Sequence, residues 1–224
     1  MDTVYSINQL NVGSVNNCTY IIINNDIKKA VIIDPAWDLE KIITNLNRNN
    51  VSLSSILLTH SHYDHINLVE PLLKIFNCQV YMAKKEIDYY GFRCKNLNSV
   101  NDLDEISIGK LKMDCVLTPG HTAGGMCFKL ENKLFTGDTI FIRGCGICTC
   151  KGGDYNEMFE SIKKIKEIAK KNVLIYPGHY FEGDLKCESE YLKRNIYFHI
   201  NDKEVFKKII TLSSKKNDYA KYEE

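Results

Sequence analysis

Thr59-His60-Ser61-His62-Tyr63-Asp64-His65 places three imidazoles and a carboxylate within six consecutive positions, in a chain of 224 residues with six histidines in all. Two of the other three follow a Pro-Gly pair, in Thr118-Pro119-Gly120-His121 and Tyr176-Pro177-Gly178-His179; only His199 lacks such a setting. Neutral imidazole ligates zinc and other divalent first-row metals, and carboxylates complete or bridge such sites. His60 and His62, two apart in an extended loop, can turn both rings towards one ion, while Asp64 and His65 reach a neighbouring point. A lone histidine is ordinarily a satisfied polar residue. Four ligand-type residues in six, with two further Pro-Gly-His segments, point instead to a metal site. Asp138, in Phe135-Thr136-Gly137-Asp138-Thr139, directly follows an apolar run. A Gly-Asp pair alone marks a turn, but beside five candidate histidines the carboxylate reads as a bridging ligand.

The strands and helices around these segments follow from periodicity. Residues 4–10, 18–24, 30–35, 54–58 and 79–82 read as strands, and the run 54–58 delivers the chain into the histidine cluster. Leu39, Ile42, Ile43 and Leu46 hold helical spacing behind Asp38, an N-cap residue type. Ile66, Val69, Leu72, Leu73 and Phe76 make one face of a helix after the cluster. Residues 84–90 read as a short helix and 92–104 as polar loop. Residues 106–108, 110–118, 126–130 and 133–135 look like strands in antiparallel succession. A long amphipathic helix runs through Met158, Phe159, Ile162, Ile165, Ile168 and Ala169. It precedes a strand at 173–176 and a last helix through Val205, Phe206, Ile209, Ile210 and Leu212, with a polar tail that frays. Every histidine segment of interest thus lies in a loop after a strand, the usual mount for a site.

Composition bounds the function classes. An apolar fraction of 44% and a charged fraction of 25% are those of an ordinary globular protein. A formal charge of +1 gives no reason to expect a nucleic-acid partner, and no apolar run approaches the ~20 residues of a membrane span. Without a leader pattern, the nine cysteines are expected to be reduced thiols and the chain cytoplasmic. Cys145, Cys148 and Cys150 read as loop thiols, since no second pair at zinc-binding spacing follows.

The motifs His60-x-His62-x-Asp64-His65, His121 in Pro-Gly-His-Thr, Asp138 in Thr-Gly-Asp-Thr and His179 in Tyr-Pro-Gly-His resemble, in this order, the metallo-β-lactamase superfamily. The resemblance implies an α/β fold, the four-layer αββα sandwich, over residues 1–180, with 181–224 as a short helical C-terminal extension. It implies two Zn2+ ions: His60, His62 and His121 would hold one, Asp64, His65 and His179 the other, and Asp138 would bridge them. Full ligation implies hydrolysis by a metal-acidified water, with Asp64 as the catalytic residue that orients it and no Ser or Cys nucleophile.

The stretch from Gly137 to Gly146 and Met158-Phe159-Glu160-Ser161 resemble the glyoxalase II branch. Gly144-Cys145-Gly146-Ile147-Cys148 with Gly178-His179-Tyr180-Phe181 is most similar to the PksB/BaeB-type zinc-dependent hydrolases of polyketide gene clusters. Relatives that bind glutathione carry a basic residue where this chain has Ile147, and Glu-Tyr where it has Tyr180-Phe181. The resemblance therefore implies thioester cleavage, of a small-molecule or carrier-bound acyl thioester with an acyl carrier protein as candidate partner. Arg143, Ile147, Tyr180 and Phe181 are the candidate substrate residues. The alternatives are a hydroxyacylglutathione hydrolase, a non-catalytic carrier-binding module, and a persulfide dioxygenase using one Fe2+ on His60 or His62, His121 and Asp138.

Overall fold

Strand side chains point alternately to opposite faces, and in this chain both faces are apolar. In the hairpin of β1 (Tyr5–Val12) and β2 (Asn17–Asn24), Ile21 and Ile23 enter one buried cluster while Tyr20 and Ile22 enter another. β3 (Lys29–Ile33) repeats the division, with Ala30 and Ile32 against Val31 and Ile33. A sheet buried on both faces needs a layer on each side. The computed structural model, which describes residues 5–170, 172–180, 187–188 and 195–216, supplies them.

The first sheet has the order β1-β2-β3-β4-β5-β6, with β4 (Ser52–Leu58), β5 (Gln79–Ala83) and β6 (Leu97–Val100) parallel to β3. Helices α1 (Leu39–Arg48), α2 (Tyr63–Ile66), α3 (Val69–Ile75) and α4 (Lys84–Tyr90) form the crossovers. Ile42, Leu46, Leu72 and Ile87 from these helices pack with Ile21, Ile32, Ile56 and Val80 in the outer cluster. Asp38 caps α1, its Oδ1 accepting the Lys41 N–H at 2.9 Å, a contact typically worth about 1 kcal/mol.

The second sheet is β12-β11-β10-β9-β8-β7, from β7 (Glu105–Ile108), β8 (Leu111–Leu117), β9 (Met126–Leu130), β10 (Lys133–Gly137), β11 (Leu174–Pro177) and β12 (Cys187–Glu188). All its pairings are antiparallel except β10–β11, which α5 (Tyr155–Ala169) joins as a crossover. α5 and α6 (Lys203–Lys216) cover its outer face through Met158, Ile162, Ile165, Phe206 and Ile210. Between the sheets lie Tyr20, Ile22, Met113, Phe128, Phe135 and Tyr176. The expected four-layer αββα sandwich is what the chain forms.

Two local expectations are corrected. Residues 92–104 are not all loop, because Leu97–Val100 adds β6 to the first sheet. Its stability comes from backbone pairing with β5, which leaves no apolar alternation in the sequence. The helix after the histidine cluster is broken into α2 and α3, and Phe76 is extended at its end. Among the described residues no helix is long and apolar enough to cross a membrane. The cysteines at 18, 78, 94, 115, 127, 145, 148 and 150 form no disulfide among the described residues.

Candidate metal centre

Four loops converge at one edge of the two packed sheets. One follows β4 and carries residues 60–65. A second joins β8 to β9 and carries His121; the third and fourth follow the parallel pair β10 and β11 and carry Asp138 and His179. The carboxyl ends of parallel strands are where open α/β sheets place ligands.

All seven predicted metal-site residues come together there. Donor atoms of His60, His62 and His121 lie within 4.8 Å of one another, as do those of Asp64, His65 and His179. Asp138 stands between the two triples. Its Oδ2 is 3.5 Å from His121 Nε2 and 3.2 Å from His179 Nε2, and its Oδ1 is 3.5 Å from His65 Nε2. Gly178 makes this approach feasible: a Cβ at that position would run into the Asp138 carboxylate and the His65 ring.

What each ring presents to the centre is set by what holds its other nitrogen. A carbonyl has no proton to give, so His121 Nδ1–H donates to Ile147 O at 2.7 Å and His179 Nδ1–H donates to Val15 O at 2.9 Å. The Asp34 carboxylate accepts the Thr59 hydroxyl at 2.6 Å and His65 Nδ1–H at 3.0 Å. With its proton so committed, Thr59 Oγ1 accepts His60 Nδ1–H at 3.0 Å. Four rings are therefore locked with Nε2 facing inward, and His62 contributes Nδ1, 3.0 Å from His121 Nε2.

This arrangement fits a cation. His60 Nε2 and Asp138 Oδ1 are buried and have no hydrogen-bond partner, a condition costing about 1–3 kcal/mol each if nothing fills it. Two inward ring nitrogens at 3.0 Å also repel unless a proton or a metal ion lies between them. Imidazole nitrogens with a few carboxylate oxygens suit zinc and other first-row divalent ions.

The two triples differ in charge. Burial pushes the His60 imidazole well below its ordinary value, with His65 and His62 adding to the effect. Burial and the neighbouring His121 take His62 down to about 4. In the other triple burial alone would lower His65 and His179. Asp138 and the Asp34 hydrogen bond outweigh it for His65, and Asp138 with Asp64 lifts His179 well above its usual range. Burial by itself would raise Asp64 and Asp138. The His179 hydrogen bond and the His65 charge hold Asp64 far below the usual carboxylate range, and His179 and His65 do the same for Asp138.

The profile of the metallo-beta-lactamase superfamily matches residues 13–179, a span that contains every one of these residues. The chain belongs to that superfamily. Among its members, the probable polyketide biosynthesis zinc-dependent hydrolase PksB of Bacillus subtilis is 50% identical over 205 residues, 91% of each chain. The corresponding probable hydrolase BaeB of Bacillus velezensis is 47% identical over 210 residues, 92% of this chain and 93% of its own. Proteins named hydroxyacylglutathione hydrolase match at lower identity, between 31% and 35%. In three dimensions the crystal structure of ETHE1 from Myxococcus xanthus superposes with a TM-score of 0.82 at 25% identity, over 92% of this chain and 90% of that one.

Within this superfamily fold, several residues that hold the centre escape a motif reading. Asp34 ends β3 ahead of Pro35 just as Asp138 ends β10, so a carboxylate at a strand end was the available signal. Asn17 is buried and donates from Nδ2 to Asp64 Oδ2 at 2.9 Å and to Asp64 O at 3.0 Å. Glu86, fully buried on α4, accepts Ser61 N–H and Oγ–H at 2.8 and 2.7 Å and Gly124 N–H at 2.7 Å. It thereby ties the loop of His60 and His62 to the loop of His121. Neither Asn17 nor Glu86 carries a sequence signal.

The predicted substrate residues fare unevenly. Ile147 lies at the centre, but its shown contact there is the backbone carbonyl on His121. Tyr180 packs against the intersheet core, with its N–H on Asn16 O at 2.9 Å. Arg143 is exposed on the loop after β10. Phe181 lies outside the described residues.

Proposed function

We propose that this chain is a dinuclear zinc hydrolase that cleaves acyl thioesters, with the acyl group carried on a pantetheine-type thiol of polyketide biosynthesis. The observation that carries the reading is the pair of adjacent donor triples with Asp138 between them, four imidazoles locked with Nε2 inward beside His62 and two carboxylates. His60, His62 and His121 would hold one ion and Asp64, His65 and His179 the other, with Asp138 within reach of both triples. Such a pair of ions, when bound, supplies an acidified water at neutral pH and a Lewis acid for the acyl carbonyl. The protein's own groups do the placing. Asn17 fixes the Asp64 carboxylate, which stays ionised and orients the attacking water as an acceptor. Thr59, Asp34, Val15 and Ile147 hold the rings. The 50% identity to a protein named a probable zinc-dependent hydrolase of polyketide biosynthesis supports the metal and the pathway. The aliphatic Ile147, where glutathione-binding relatives carry a basic residue, supports an uncharged thiol arm.

Metal analysis joined to a substrate panel tests this reading. About two zinc ions per chain are expected, with acyl-carrier-protein or acyl-pantetheine thioesters hydrolysed faster than acylglutathione. A strong preference for acylglutathione would overturn the thiol assignment. One iron with oxygen uptake on a persulfide would overturn the reaction, and two metals without thioester turnover would leave a carrier-binding module.

A further inference from the structure

Beside Asp64 the rim of the centre carries two exposed rings that the reaction leaves unused. Trp37, the chain's one tryptophan, is 42% exposed and Tyr63 is 70% exposed. Their centroids are 6.0 Å apart with planes at 79°, an edge-to-face pair. The indole Nε1–H donates to Asn17 Oδ1 and Asn17 Nδ2 donates to Asp64 Oδ2, so the pair stands beside the triple of Asp64, His65 and His179. We propose that Trp37 and Tyr63 form an aromatic ledge that binds the apolar acyl chain of the substrate, a proposal that rests on the thioester reading above.

The ledge is built rather than incidental. Trp37 has a left-handed backbone with φ 64°, a conformation a bulky side chain adopts only when its surroundings impose it. Three contacts impose it. The Trp37 N–H donates to Asn67 Oδ1 at 2.8 Å, and the indole Nε1–H donates to Asn17 Oδ1 at 2.7 Å. The ring lies on the bare backbone of Gly13, where a Cβ would collide with it. The same Asn17 donates to the Asp64 carboxylate, so the indole is two hydrogen bonds from a group that orients the nucleophile. An aromatic face fixed in advance binds without the entropy cost of ordering it. The groups that hold the indole, Asn17, Asn67 and Gly13, are all uncharged. A ledge of this kind recognises an uncharged aliphatic chain through its ring faces and places no cation there for a carboxylate. It also divides the rim: the acyl chain lies beside Asp64, and the thiol arm is left to the Ile147 side by His121.

Because Trp37 is the sole tryptophan, its fluorescence reports on the ledge alone. A non-hydrolysable octanoyl-pantetheine thioether, titrated into metal-free and zinc-loaded protein, should shift or quench that emission saturably. For the zinc enzyme, the ratio of kcat/KM between S-octanoyl- and S-acetyl-pantetheine should fall about tenfold in Trp37→Ala, the scale of one lost aromatic contact. Trp37→Phe should keep most of the ratio. If circular dichroism shows that Trp37→Ala does not fold, Tyr63→Ala gives the same ratio from a largely exposed position. Thioether binding seen by calorimetry with no change in emission, or a ratio unaltered by these variants, overturns the ledge and leaves the thioester reading intact. No heat with the thioether and no thioester hydrolysed by the wild-type zinc enzyme overturns the thioester reading on which the ledge rests.

Discussion

The two halves of the centre are built from nearly the same side chains and behave as opposites. His60 and His121 are buried and His62 half-buried, the three rings have no carboxylate of their own, and burial lowers His60 and His62. Asp64, His65 and His179 pair one carboxylate with two rings whose values the neighbouring Asp138, Asp34 and Asp64 raise. His65 Nε2 and His179 Nε2 lie 3.2 Å apart, so a proton must sit between them when no cation does. Each triple has a pair of facing ring nitrogens that must lose a shared proton when an ion enters, but neighbouring carboxylates raise His65 and His179 whereas burial lowers His60 and His62, so the proton of the second triple is held more tightly. The difference comes from neighbours rather than from ligand type, and on the two-ion reading proposed above it favours filling of the three-histidine triple first.

The severest way to break the contrast is to remove a ring from the ready half. His121→Ala should abolish thioester hydrolysis, by at least about a thousandfold, a loss of the size expected when a catalytic metal is displaced. Zinc content should fall by about one per chain while circular dichroism stays native. Undiminished activity would remove the site assignment.

A second variant should erase the contrast instead. Asp34 braces His65 directly and His60 through Thr59, so Asp34→Ala should loosen both triples. Loss of such a supporting partner typically weakens metal affinity about 10–100-fold. Competition with a chelator measures it, and weakening confined to one ion would show that the brace serves only that half.

Acidity should sharpen the contrast with the smallest perturbation. Raised His65 and His179 values mean that metal uptake at the second triple expels a proton, so its affinity falls as pH falls, by about tenfold per unit for each proton displaced. The depressed His60 and His62 values mean that these two ligands stay neutral until pH approaches about 4, the His62 value, so protons compete less with an ion at the first triple. Cobalt titrations of metal-free protein between neutral and mildly acidic pH should therefore lose the second equivalent first. Simultaneous loss of both would contradict the order.

Much of the fold is legible in short stretches of the chain. The continuous apolar runs of β2 and β3 announce strands buried on both faces, and Asp38 ahead of a 3.6-residue pattern announces α1. Where pattern is missing, so is the reading. β6 holds to β5 through backbone pairing, and its Asn98 and Ser99 give no alternation. The break between α2 and α3 falls at Asn67 and Leu68, where helical spacing of apolar residues continues across the gap. In the centre, the seven candidate ligands are readable because each sits in a short motif. Asn17, Glu86 and Trp37 are not, because their meaning lies in contacts with residues 47, 38 and 20 positions away.

By itself the sequence determined the donor set and hence the kind of chemistry, since the affinity of imidazole and carboxylate for a divalent ion is a property of the groups and their spacing. The tertiary structure alone decided which nitrogen of each ring faces inward, which rings burial lowers and which the carboxylates raise, and what stands beside the centre. Those depend on burial and on acceptors brought from remote parts of the chain, such as the Val15 carbonyl on His179, 164 residues distant. Proton placement and charge are set by surroundings, and the surroundings exist only once the two sheets have closed on one another.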